Sequence, residues 1–210
     1  MNLIARKLAH LLAENAKDSF YEDEIRYGLE ITLGALFQLL IITFVALLLG
    51  IAKEVIAIAI STALYRRYSG GAHCQAFYRC TLTSLVTFIL LGYLSQHIPA
   101  SYWSLYIALT AILSVAVIHR YVPVDNPRNR ITDEAVREKR RYKSYGVVFL
   151  VLLASALTRY FYNGELYSTA LLLGLIWQDF TLIPLGNNYI CLLDHIFGKM
   201  EKIIKRRMVT

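Results

Sequence analysis

Apolar residues gather along this chain in six blocks: Ile31–Ile51, Val55–Tyr65, Leu82–Leu94, Trp103–Ile118, Gly146–Tyr162 and Leu166–Leu185. Several approach or reach the roughly 17–25 residues that carry a helix across a bilayer core of about 30 Å. The pattern predicts an all-α fold, a polytopic membrane helical bundle of six segments. The second segment is short. Only 12 residues separate Lys53 from Arg66, about 18 Å of helix at 1.5 Å per residue. Two arrangements follow: six full spans, or four full spans plus two short or re-entrant segments.

Both ends carry a different pattern. Leu3, Ile4, Leu8, Leu11 and Leu12 recur at helical spacing, with Arg6, Lys7, His10 and Glu14 elsewhere on the wheel. Such a helix lies in the membrane interface. The start has no uninterrupted apolar core and no small-residue cleavage site, so it does not read as a signal peptide. Near the other end Ile196, Met200, Ile203 and Ile204 form one face, while Lys199, Lys202, Lys205, Arg206 and Arg207 reach for headgroups. The expected organisation is one membrane domain over 1–210: an interfacial helix at 1–27, membrane segments over 28–186 and a basic amphipathic tail at 187–210.

Composition agrees with the pattern. The chain is 57% hydrophobic and 18% charged, with a mean hydropathy of +0.47; soluble domains carry about a quarter charged residues. The net charge of +7 follows topology instead of suggesting nucleic acid. Loop 95–102 holds no Lys, Arg, Asp or Glu, and loop 163–165 holds one acid. Loop 120–145 holds eight bases against four acids. Basic loops stay inside, so the chain is expected in the cell membrane with both termini cytoplasmic and its three cysteines reduced. Pro123 and Pro127 bar continuous helix in the long loop. Thr132, followed by Asp133 and Glu134, predicts the start of a short surface helix running to Lys143.

The stretch RRYSGGAHCQAFYRC, residues 66–80, interrupts this apolar design. Gly70 and Gly71 break helix by about 1 kcal/mol each relative to alanine, and opened backbone in a membrane needs protein or water to satisfy it. A plain connecting loop would also account for them. His73 and Cys80 form a candidate base and thiolate nucleophile, with Arg66, Arg67 and Arg79 as candidate anion stabilisers. On a straight helix the seven-residue spacing would separate them by about 10.5 Å along the axis, so the chain must bend between them. Cys74 is the rival nucleophile. Gln75 or a backbone carbonyl can orient His73, and Asp179, an acid inside the last segment, is a functional candidate by its placement. Cys191 fits a small buried hydrophobe. His73, Cys74 and Cys80 lack the paired spacing of a zinc site, so neither a metal nor a cofactor is expected. Two other classes stay open: a small transporter with Arg66, Arg67 and Asp179 lining a path, and a non-enzymatic membrane sensor.

Arg66, the run Gly70–Gly71–Ala72–His73 and Cys80 together resemble the accessory gene regulator B (AgrB) family, membrane cysteine endopeptidases that mature quorum-sensing peptides. HRYVPVDNPRNRI at 119–131, IRYGLEITLGALFQ at the first segment and FTLIPLG near the end extend the resemblance along most of the chain. The loop departs from the family pattern, carrying DNPRNR where an acid, asparagine, lysine and proline are expected. The resemblance implies a catalytic pair, Cys80 and His73, cleaving an AgrD-like propeptide that has an amphipathic leader and an acidic C-terminal tail. It implies a thioester on Cys80, release of a thiolactone or lactone ring, and a homodimer. Arg66, Arg67, Gly70, Gly71, Gln75 and Asp179 are then expected to support the site. The basic loop 128–143, with Arg128 and Arg130, is expected to attract the acidic tail.

Overall fold

The computed structural model describes residues 22–72, 74, 76–125, 131–161 and 164–209. Seven α-helices follow one another among them: α1 (Glu22–Leu48), α2 (Ala52–Ser69), α3 (Phe77–His97), α4 (Trp103–Tyr121), α5 (Glu134–Phe161), α6 (Glu165–Leu182) and α7 (Pro184–Val209). A short 3₁₀ turn, Ala100–Tyr102, leads into α4. The all-α membrane bundle expected from the apolar blocks is the fold observed.

Among the described residues four helices are long and apolar enough to cross a membrane: Gly28–Leu48 within α1, then α3, α4 and α5. A fifth span exists only if α6 and the first part of α7 count as one, and they meet at an angle of 86°. Among the described residues the helices long and apolar enough to span thus number four to five, as in a multi-pass membrane protein, with shorter elements between them. The break between α6 and α7 follows from Pro184. The residue before a proline is pushed out of the helical region, and Ile183 is extended at φ −84°, ψ 155°. Pro184 then starts α7 at the position where its missing N–H costs nothing.

The short second segment, α2, fails as a lipid-facing span for a physical reason. Lys53, Glu54, Ser61, Thr62, Arg66 and Arg67 give it too many groups that need protein partners. It is instead sheathed by the other helices: Val55, Ile58 and Tyr65 are fully buried. Its main neighbour is α6. Gly174 of α6 lets the two backbones touch, because a Cβ there would sit 1.8 Å from Ser61 Oγ. Thr62 Oγ1 donates to the Gly174 carbonyl at 3.1 Å. Small residues at such a crossing are the usual route to close helix packing in membranes.

Two apolar clusters flank this central pair. One joins Ile42, Val55, Ile58, Phe88 and Ala170 from α1, α2, α3 and α6. The other joins Tyr65, Ile118, Val148, Val151 and Leu175 from α2, α4, α5 and α6. The outward faces of the spans expose Leu40, Phe44, Leu90, Ile112 and Phe149, as lipid contact requires.

Three sequence expectations change. The predicted surface helix ending at Lys143 is the first part of α5, which runs unbroken to Phe161. Asp133, not Thr132, caps it: Asp133 Oδ1 accepts the Ala135 N–H at 2.9 Å, an acid at the positive end of the helix. Cys191 is exposed on α7, not buried. Of the expected interfacial helix at 1–27, residues 1–21 lie outside the described residues, and from Glu22 onward the chain belongs to α1.

Candidate active site

Helix α2 ends where its glycines let it. Gly70 has φ +74° and ψ −147°, a backbone region open almost only to glycine and costing other residues roughly 1–3 kcal/mol. A Cβ at Gly70 would also lie 2.2 Å from the Val124 carbonyl oxygen. Gly70 thus forms a single parallel bridge with Val124, and the Val124 N–H donates to the Ser69 carbonyl at 2.8 Å. Gly71, at φ +137°, passes between α2 and α6, where a Cβ would meet Thr181 Oγ1 at 3.0 Å and Arg66 Nη1 at 3.1 Å. The glycine pair is therefore not a free loop. It is threaded against α6 and the connection after α4.

The clamp on this turn comes from Arg66 and Gln178. Arg66 Nη2 donates to the Ala72 carbonyl, and Arg66 Nη1 donates to Gln178 Oε1 at 3.4 Å. The fully buried Gln178 turns its Nε2 toward Ser69 Oγ at 2.9 Å and the Gly70 carbonyl at 2.8 Å. The Ala72 N–H donates to the Thr181 carbonyl at 3.4 Å. Ser69, Gly70 and Ala72 are bonded from one polar face of α6, and Gly71 passes close against it.

Beyond the turn the chain bends into α3, with Ala76 extended as its N-cap. Cys80 lies in the first turn, its N–H donating to the Ala76 carbonyl at 3.2 Å. Cys80 thus lies within the first turn, where the partial positive charge of a helix N-terminus is felt. Cys74 hangs over the same turn. Its thiol hydrogen-bonds Cys80 and also lies 3.8 Å from Thr83 Oγ1. That bond to Cys80, then burial, pushes the Cys74 thiol well above the ordinary range. Arg66 sits within electrostatic reach of both sulfurs.

The remaining sequence candidates divide. Gly70, Gly71, Arg66, Cys74 and Cys80 come together. Arg67 does not: it is exposed, with its guanidinium 5.9 Å from the Tyr68 ring centroid. Arg79 is engaged with α7, 3.4 Å from Asp194 Oδ1 and 2.9 Å from Glu201 Oε2. Asp179 is buried one residue beyond Gln178, accepting from Tyr65 at 2.8 Å and Ser114 at 2.6 Å. It ties α2, α4 and α6 together behind the site. His73, Gln75, Arg128 and Arg130 lie outside the described residues. Among the described residues no three His, Cys, Asp or Glu side chains converge as a metal site requires. Sequence reading missed Gln178, although it neighbours Asp179 and is equally polar within an apolar segment.

The accessory gene regulator B family model matches residues 2–182. The chain belongs to the accessory gene regulator B family. An AgrB-like protein of Clostridium perfringens is 24% identical over 209 residues, covering 94% of this chain and 96% of that one. An AgrB-like protein of Listeria innocua is 28% identical over 187 residues, covering 87% and 88%. The accessory gene regulator protein B of Staphylococcus aureus is 27% identical over 186 residues, covering 88% and 94%. No solved structure matches the chain. As an accessory gene regulator B protein, the chain takes a role in the accessory gene regulator quorum-sensing system.

Proposed function

We propose that this chain is a membrane cysteine endopeptidase that cleaves an AgrD-like propeptide and closes its product into a ring. The observation that supports this reading most is the pair of thiols at the start of α3. Cys74 is held as a thiol by its bond to Cys80, while Cys80 lies at a helix N-terminus near Arg66. Of the two cysteines, Cys80 is the one on α3, in the first turn of the helix.

In the proposed reaction His73 takes the Cys80 proton and the sulfur attacks a peptide carbonyl of the propeptide. The C–N bond breaks, the leaving amine takes the proton from His73, and the N-terminal fragment remains as a thioester on Cys80. An internal cysteine or serine of that fragment then attacks the thioester carbonyl. The S–acyl bond to Cys80 breaks, a thiolactone or lactone forms, and the Cys80 thiol is restored. Exclusion of water at the membrane edge favours ring closure over hydrolysis.

The partners follow from the same reading. The propeptide carries an amphipathic leader that binds lipid and an acidic tail that meets Arg128, Arg130 and the basic start of α5. Confining both chains to one membrane plane raises their effective concentration. Two copies of the chain act as a homodimer, with both termini cytoplasmic.

The test is processing of the propeptide by the full chain in liposomes. Cys80→Ser and His73→Ala are each expected to abolish cleavage, while Cys74→Ser retains most of it. Intact-mass measurement is expected to find an acyl adduct on Cys80 when ring closure is blocked. Cleavage by Cys80→Ser at the wild-type rate would refute the reading.

A further inference from the structure

Gln178 makes more hydrogen bonds to the turn at 69–72 than any covalent neighbour requires, and it does so from another helix. Its Nε2 reaches Ser69 Oγ at 2.9 Å and the Gly70 carbonyl at 2.8 Å, and its Oε1 accepts from Arg66 at 3.4 Å. Arg66 holds the Ala72 carbonyl with its other terminal nitrogen. The two side chains therefore act as one clasp on a backbone that leads directly to Cys74 and the start of α3. A buried amide carries a cost unless its groups are satisfied, and here its side-chain bonds go to Ser69, Gly70 and Arg66.

We infer that Gln178 is a positioning residue for the thiol site, acting through Arg66 and the Gly70–Gly71 turn. It fixes where the guanidinium sits relative to Cys74 and Cys80, so that the charge beside the nucleophile does not swing toward solvent or headgroups. Tyr65 and Asp179 pair one residue away on the same two helices, which pins the register that brings Gln178 opposite Arg66. The inference rests on the endopeptidase reading for its meaning, but its test needs no peptide.

The experiment is site-resolved alkylation of the full chain in liposomes with iodoacetamide, read by mass spectrometry at Cys80, Cys74 and Cys191. Exposed Cys191 on α7 serves as the internal reference. Gln178→Met, close in shape but without the amide, and Arg66→Lys are each expected to slow Cys80 labelling about tenfold relative to Cys191. The double variant is expected to be no slower than the slower single, because both changes open one clasp. Wild-type labelling of Cys80 in Gln178→Met overturns the inference, as does a double variant slowed by the product of the two singles. Faster labelling of Cys74 with Cys80 unchanged, the mark of simple loosening, overturns it too. If Gln178→Met unfolds, Gln178→Glu is read against the same tenfold criterion. Normal processing by Cys80→Ser would sink the endopeptidase reading while leaving these rates to be judged alone.

Discussion

Tyr65 donates its phenolic hydrogen to Asp179 at 2.8 Å, one residue along each helix from the contact between Arg66 and Gln178. The same carboxyl accepts from Ser114 at 2.6 Å, so an acid near the end of an apolar helix binds three helices without a basic partner among these contacts. This is scaffold geometry. Asp179→Leu strands two buried hydroxyls and is expected to destabilise the fold by about 1–3 kcal/mol for each. Tyr65→Phe, which leaves the carboxyl bonded to Ser114, is expected to cost less. Thermal unfolding in detergent ranks the two, and an Asp179→Leu protein as stable as wild type would refute the assignment.

Gly50 and Gly70 have nearly the same φ, +73° and +74°, in opposite surroundings. A Cβ at Gly50 meets nothing within 4 Å, whereas one at Gly70 strikes the Val124 carbonyl at 2.2 Å. Gly50→Ala is expected to cost only the conformational strain, about 1–2 kcal/mol. Gly70→Ala adds displacement of the connection after α4 and of the bridge to Ser69, so its cost is larger. It alone of the two is expected to lower Cys80 reactivity. Equal unfolding midpoints for the pair would contradict this.

Arg79 holds the start of α3 to α7 through Asp194 and Glu201, and Gly198 leaves its guanidinium room, since a Cβ there would lie 3.0 Å from Arg79 Nη1. Arg79→Ala is expected to expose the α7 tail to trypsin, and added salt to do the same more weakly, since partly exposed ion pairs are screened. Because its charge is engaged on α7, Arg79→Ala should slow Cys80 alkylation less than Arg66→Lys does. The reverse order would mean that Arg79 serves the sulfur.

Cys74 lies on the connection between α2 and α3, and its bond to Cys80 and its burial push its thiol up. Below about pH 8.5, the ordinary thiol value, folded and unfolded chains both keep that proton and the stability is present in full. Above it the unfolded chain releases the proton first, so it binds fewer protons and stability falls as pH rises. Cys74→Ser is expected to flatten this alkaline decline, as followed by unfolding midpoints between about pH 8 and 10. An unchanged slope would count against the raised thiol.

What the linear sequence determined is the inventory of helices and their interruptions. Apolar blocks became helices because backbone polar groups in lipid must be satisfied within their own segment. Gly70–Gly71 ended α2 and Pro184 broke α6 from α7 for local steric reasons that are visible in one or two residues. The candidate nucleophile and its arginine were legible for the same reason, since they share one short stretch.

The tertiary structure alone decided which helix faces are exposed, what Arg66 and Arg79 bind, and that Gln178 bonds the turn at 69–70. The arginine and glutamine pairings join residues more than 100 positions apart, Arg66 with Gln178 and Arg79 with Asp194. No periodicity encodes such a pairing. It arises when α2, too polar for lipid, is enclosed by its neighbours and must find its hydrogen-bond partners on whichever helix packs closest.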